Sequence, residues 1–323
     1  MSLGEFDLIE RVRRFADHPA ALGLADDAAL LDGLVITHDS IAEGVHFLPA
    51  DPPASVGWKL VAVNLSDLAA KGANPLAALL SLTIAGDGEW EELFLGGIEA
   101  ACESYGLALI GGDTISLPAD SARVLGMTAI GRAGEAMPKR SGGRLGDKLW
   151  LVGNVGDSAA GLAQLIADPR AVGPLVDIYR RPIPLIALGK LLAPHANAMM
   201  DVSDGLLIDA ARLARASGCA ARIDLDAISL SEPFRDLRGD GLEERMFAAT
   251  GGDDYALLAA LPPGLDAALI LSSLSPPSLA CVGTLRAGQG ISLVGDGGRA
   301  IELPEHLGHE HRGISGSPVA DRP

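Results

Sequence analysis

Leu107-Ala108-Leu109-Ile110-Gly111-Gly112-Asp113-Thr114 runs from four apolar residues straight onto two glycines and a carboxylate. The apolar run, bounded by Gly106 and Gly111, reads as a strand over 107–110. Acids beside the ends of regular elements recur along the chain. Ala25-Asp26-Asp27-Ala28, Thr37-His38-Asp39-Ser40, Asn64-Leu65-Ser66-Asp67 and Asp201-Val202-Ser203-Asp204-Gly205 each sit beside a segment that reads as strand or helix. Carboxylates that converge repel one another, so a convergent set needs cations. Hard oxygen ligands without a Cys or His partner suit magnesium, and magnesium in number suggests nucleotide phosphates.

Working outward, the chain alternates elements. Leu8, Ile9, Val12 and Phe15 give a helix over 5–16, and Asp32-Gly33 joins two short apolar runs as a hairpin. Pro52-Pro53 opens a helix carrying Trp58, Val61, Leu65 and Leu68; Leu76–Ile84 and Val124–Ile130 read as strands, and Trp90 to Cys102 as a helix stopped by Gly106. Residues 131–147, rich in Gly, Lys and Arg, mark a domain boundary. Beyond it, Lys148–Val152, Ala198–Met200, Ala221–Leu225 and Tyr255–Leu261 read as strands, and Ile183–Leu192 and Leu206–Ala216 as helices. Gly153 to Ser158 opens another helix, a turn able to hold an anion on its N–H groups. The expectation is an N-terminal domain over 1–137, a C-terminal α/β domain over 138–311 and a disordered Gly/Ser/Pro-rich tail over 312–323.

Composition excludes several classes. A net charge of −17 over 323 residues opposes sequence-independent nucleic-acid binding and an anionic membrane surface. Cys102, Cys219 and Cys281 stand far apart in apolar stretches, which fits free thiols in a reducing compartment. Met1–Glu10 carries three acids and no secretory h-region, so a cytoplasmic protein is expected. No Walker A, GxGxxG, HExxH or GxSxG motif occurs. A nucleotide enzyme built here lies outside the common phosphate-loop and Rossmann designs.

Taken in order, the motifs resemble the thiamine-monophosphate kinase family. The resemblance runs from about residue 4 to about 311 through Gly4-Glu5-Phe6-Asp7, Asp26-Asp27-Ala28-Ala29, Glu43-Gly44-Val45-His46-Phe47, Lys59–Gly72 and Gly111–Thr114. It continues through Arg140-Ser141-Gly142, Gly156–Leu162 and Asp201–Leu206. It implies two mixed-sheet α/β (α+β-like) domains, shared with aminoimidazole ribonucleotide synthetase. The N-terminal sheet carries helices on one side and forms a homodimer; the C-terminal mixed sheet has flanking helices. It implies ATP as co-substrate, several Mg²⁺ ions and thiamine monophosphate as acceptor. By resemblance, Asp27, Thr37, His38 (through its backbone), Asp39, Asp67, Asp113, Asp201 and Asp204 hold magnesium. Gly112, Asp113, Arg140 and Ser203 hold ATP, with Asp67, Asp39 and Arg140 carrying catalysis. His46 and Asp253 contact thiamine monophosphate.

The chain departs from the family pattern at Ala25, at His38, around Gly308–His311, and at Asp253, where the family has Glu, one methylene longer. Plainer readings stand beside these. Asp26 reads as a turn acid, Asp39 and Asp204 as possible N-caps, Asp157-Ser158 as a helix cap, Asp209 as a helix-surface acid, and Trp58 and Trp150 as core. A different enzyme of the same superfamily and a non-catalytic nucleotide-binding protein are the rival functions.

Overall fold

The computed structural model of the chain describes residues 5–86, 88–118 and 121–310. The tail expected from residue 312 lies outside them. In chain order the first half is α1 (Glu5–Arg13), β1 (Ala29–Leu31), β2 (Leu34–Ala42), α2 (Pro53–Ala70), β3 (Asn74–Ile84), α3 (Gly88–Tyr105), β4 (Ala108–Ser116) and β5 (Val124–Arg132). Its sheet has the order β1-β2-β5-β3-β4, antiparallel except for β3 and β4, which α3 connects in parallel. The hairpin turn expected at Asp32-Gly33 is present, with both residues in the left-handed region. The strand read over 107–110 does not stop at the glycines. It continues through Gly111-Gly112-Asp113 to Ser116, because β3 pairs with it along that length.

The second half contains β6 (Lys148–Val152), α4 (Asp157–Ala167), α5 (Pro174–Arg180), α6 (Ile186–Leu192), β7 (Ala198–Val202), α7 (Leu206–Ala216) and β8 (Ala220–Asp224). It continues with α8 (Glu232–Arg238), α9 (Leu242–Thr250), β9 (Ala256–Leu261), α10 (Ala267–Ile270), β10 (Leu279–Arg286), β11 (Ile291–Gly295) and β12 (Arg299–Ile301). These strands form a mixed sheet, β12-β11-β8-β10-β6-β9-β7. Residues 133–147 join the two sheets. No described helix is long and apolar enough to cross a membrane.

Helix α2 decides where the site falls. Pro53 opens it, and Lys71-Gly72-Ala73 closes it as Gly72 N–H bonds Ala69 O (3.0 Å) and Ala73 N–H bonds Leu68 O (2.9 Å). Fifteen of its eighteen residues are buried, so it lacks the single apolar stripe of a surface helix. One side packs on β2, β3 and β5, the other on α6, β7 and β9 of the second half. Leu60, Leu65 and Leu68 are fully buried, each contributing about 1.5–3 kcal/mol. A helix enclosed this way must find partners for its polar residues inside the protein, and those partners build the site.

Helix α3 lies close on α2 because Gly97 admits it. A Cβ there would sit 2.0 Å from Ala54 O. Gly97→Ala is expected to cost about 1–3 kcal/mol by overpacking. Thermal unfolding should show a fall of roughly 2–4 °C per kcal/mol; an unchanged midpoint would mean the helices separate freely.

Candidate active site

Three carboxylates meet where the two sheets face each other across α2. Oxygens of Asp27, from the turn before β1, Asp67, from α2, and Asp201, from β7, all lie within 4.8 Å of one another. Thr37 Oγ1 on β2 donates to Asp67 and to Asp27 O (3.2 Å). Ser66 Oγ donates to Asp201 Oδ2 at 2.7 Å. Asp39 lies two residues along β2 from Thr37 and so on the same sheet face; its backbone N–H donates to Asn64 Oδ1 at 3.0 Å. Successive residues of α2 thus serve opposite sides: Asn64 and Asp67 hold β2, and Ser66 holds β7. Neither Asp39 nor Asp204 is a side-chain N-cap. Asp39 is within a strand, and the N-cap of α7 is Gly205, without a side-chain capping bond.

Two buried cations balance part of this charge. Lys71, at the α2 terminus and wholly buried, contacts Asp26 Oδ1 (2.5 Å) and Asp27 Oδ2 (2.6 Å) and donates to Met199 O (3.1 Å). Arg140 Nε donates to Asp27 Oδ1 at 3.0 Å, and its backbone N–H to Asp26 Oδ2 at 3.2 Å. Asp26 is therefore an anchor as well as a turn acid. Burial works to raise the Asp27 carboxyl, but Lys71 and Arg140 outweigh it and hold the group below its ordinary range. Asp67 has no such partner among the described residues. Burial first, then Asp39, Asp201 and Asp27, push it well up against the Thr37 hydrogen bond. Asp201 is pushed well up by burial and by Asp27. Asp39 rises to about 6 through burial, with Asp27 and Asp204 adding to it and His38 opposing. Such a set offers a divalent cation the oxygen donors that protons would otherwise occupy. Only oxygen donors converge, which fits magnesium.

Other expected residues fall into distinct places. Asp204 pairs with Arg212. Asp209, read as a surface acid, is wholly buried: its Oδ2 accepts the N–H groups of Ser203 and Asp204 (both 3.1 Å) and its Oδ1 faces Arg212 at 2.8 Å. It shapes the Ser203-Asp204 loop, and only the helical spacing from Asp204 hinted at this. His38 turns its ring to the other face of β2, toward Thr128 Oγ1 (2.9 Å), leaving its backbone as the part beside the cluster. Gly112 and Asp113 do not join the cluster within one chain. Asp39 pairs with Met127, Met127 with Leu80, and Leu80 with Gly112, so Gly112 lies three strands away, about 14 Å. The Gly156 and Ser158 N–H groups, a possible anion cradle, are taken by the Asp254 carboxylate (2.8 and 3.3 Å). His46 Nδ1 accepts the Ala42 N–H at 3.0 Å. Lys71, to which the sequence reading assigned no role, is with Arg140 a counter-ion of the cluster, and Lys59, equally unassigned, is buried against Asp253.

Comparison places this architecture. Residues 25–133 match the family model described as AIR synthase related protein, N-terminal domain, and residues 144–296 match its C-terminal domain. The two mixed-sheet halves thus correspond to the two domains of the AIR synthase related proteins. Within that class, the thiamine-monophosphate kinase of Salmonella typhimurium is 38% identical over 316 residues, covering 92% of this chain and 95% of the relative. The solved structure of AaThiL complexed with AMPPCP and TMP superposes with a TM-score of 0.81 at 31% identity, covering 95% of this chain and 97% of that one. That of thiamine-monophosphate kinase from Stenotrophomonas maltophilia K279a gives 0.73 at 37% identity, covering 93% and 99%. The chain belongs to the thiamine-monophosphate kinase family.

The raised carboxyls set a pH dependence. They bind protons more tightly folded than unfolded, so stability without metal falls as pH rises above the ordinary value of 3.8 and, for Asp39, through about 6. Asp67 and Asp201 carry the loss to higher pH. Mg²⁺ should therefore raise the melting temperature more at about pH 7.5 than at about pH 5. Melting curves with chelator and with Mg²⁺ at both values check this; an equal increment at both would show that the carboxyls do not take the ion.

Proposed function

We propose that the chain transfers the γ-phosphoryl group of ATP to thiamine monophosphate, giving thiamine diphosphate and ADP. The observation that carries this is the meeting of Asp27, Asp67 and Asp201 within 4.8 Å, in a chain whose relatives are thiamine-monophosphate kinases and whose structural counterpart is complexed with AMPPCP and TMP. In this reading residues 1–137 supply most of the metal and nucleotide contacts, and residues 138–311 complete the pocket.

The acceptor is a phosphate monoester with a second pKa near ~6. It is already a nucleophile at neutral pH and needs no general base. The barrier lies in bringing two polyanions into line. Asp27, Thr37, Asp39, Asp67, Asp201 and Asp204, with the His38 backbone, would hold Mg²⁺, which when bound neutralises phosphoryl oxygens and aligns donor with acceptor. Arg140 and Ser203 face the phosphates, and His46 the acceptor. Asp67, central among the other acids, would bridge more than one ion. The enzyme is assigned to the cytoplasm.

The reading includes a homodimer. Strand β4 is an edge strand with Leu109, Ile110 and Ile115 exposed, an unpaired edge that a second copy would cover.

Product chromatography with ATP and Mg²⁺ tests the function: thiamine monophosphate should yield thiamine diphosphate and ADP one to one, and thiamine should be almost inert. Equal consumption of thiamine would refute direct attack by a phosphate acceptor. Asp67→Asn should lower turnover roughly a hundredfold or more while the protein stays folded; near-normal turnover would reduce Asp67 to a packing residue. Light scattering at micromolar concentration should give the mass of a dimer, and a monomer mass would refute the homodimer.

A further inference from the structure

A second buried cation on α2 points to a role for Asp253 different from substrate contact. Lys59 is 2% exposed, with its ammonium over the Tyr179 ring at 4.1 Å. It donates to His46 O at 2.9 Å and to Asp253 Oδ2. Asp253 Oδ2 also accepts from Ser158 Oγ (3.2 Å), and Oδ1 accepts from Tyr255 Oη (2.9 Å). The Asp253 N–H donates to Ser203 O at 2.6 Å. A quarter of the Asp253 side chain faces the cleft, yet both its oxygens already have protein donors.

The backbone supports the same conclusion. Asp253 (φ 71°) and Tyr255 (φ 56°) both lie in the left-handed region. That conformation is costly for a ring-bearing residue and persists only where surrounding contacts hold it. Those contacts join three places: Lys59 and His46 O from the first half, Ser158 at the start of α4, and the Ser203 carbonyl beside the acidic cluster. The shorter Asp side chain ends inside this cage.

We propose that Lys59 and Asp253 form a positioning pair, which fixes the His46 turn against the Ser203 loop and so sets the separation of acceptor and nucleotide. Asp253 acts through Lys59 and does not touch thiamine monophosphate. The proposal rests on the reading of His46 and Ser203 given above.

A double-variant cycle tests it, using Lys59→Met, Asp253→Asn and the combined variant. Each single change should lower kcat/KM for thiamine monophosphate about tenfold or more, through kcat as well as KM, since misplacement by an ångström is costly to reaction. The combined variant should be no worse than the poorer single one, because both remove the same interaction. If Lys59→Met does not fold, Lys59→Gln takes its place. Additive losses, with Asp253→Asn raising KM alone, would overturn the pair and return Asp253 to the substrate. The cycle is also read in calorimetric affinity for AMPPCP with Mg²⁺, since the Asp253 side chain anchors the backbone that bonds the Ser203 carbonyl. A wild-type chain inert toward thiamine monophosphate would sink the proposed function only. Non-additive AMPPCP losses would still support the pair, and additive ones would still overturn it.

Discussion

Mutual repulsion among carboxylates around a buried helix is the constraint on which the structure turns. Helix α2 is enclosed by both halves, and its polar residues find their partners at the junction. Asp67 sits among Asp27, Asp39 and Asp201, none of which water can screen fully. The protein neutralises part of this charge itself: Lys71 and Arg140 serve Asp26 and Asp27, Arg212 serves Asp204 and Asp209, and Lys59 serves Asp253. Among the described residues Asp67 and Asp201 have hydroxyl partners, Thr37 and Ser66, and no basic one. Asp27 belongs to both sets: it is neutralised by the protein and still meets Asp67 and Asp201 at the cluster.

The same arrangement ties stability to function. Removing one member of a buried ion pair leaves an uncompensated charge, which is costlier than removing both. Lys71 joins the Asp26-Asp27 turn to the Met199 carbonyl of β7, so one residue secures both a carboxylate of the cluster and the contact between halves. A chain of this kind holds its halves together by the groups that would otherwise repel, and a bound cation reinforces the same junction.

Much of this was legible in the sequence where local signals were strong. The hairpin at Asp32-Gly33, helix α2 from its prolines, and helix α7 over Leu206–Ala216 were all readable from spacing and turn chemistry. The acidic motifs marked Asp27, Asp67 and Asp201, and their convergence is a tertiary fact that the ordered resemblance anticipated. Strands β10 to β12 were not read, because Leu279–Arg286 is flanked by serines and prolines and gains its strand identity from pairing with β6 and β8. Asp209 looked like any acid on a helix, since burial is not written in spacing. Gly112 and Asp113 belong to the motif order, but their distance from Asp39 depends on a strand order that no local pattern reveals. Lys59 and Lys71 fell within the Lys59–Gly72 motif of the resemblance, but no local pattern gave either one a partner.

The most direct measurement is anomalous diffraction from crystals grown with Mn²⁺ and AMPPCP, manganese replacing magnesium at oxygen sites. The account predicts anomalous density between Asp27, Asp67 and Asp201, with Asp39 close by and Asp253 still paired to Lys59. Density elsewhere in the cleft, with Asp67 bound only to Thr37 and no metal among the three carboxylates, would contradict it.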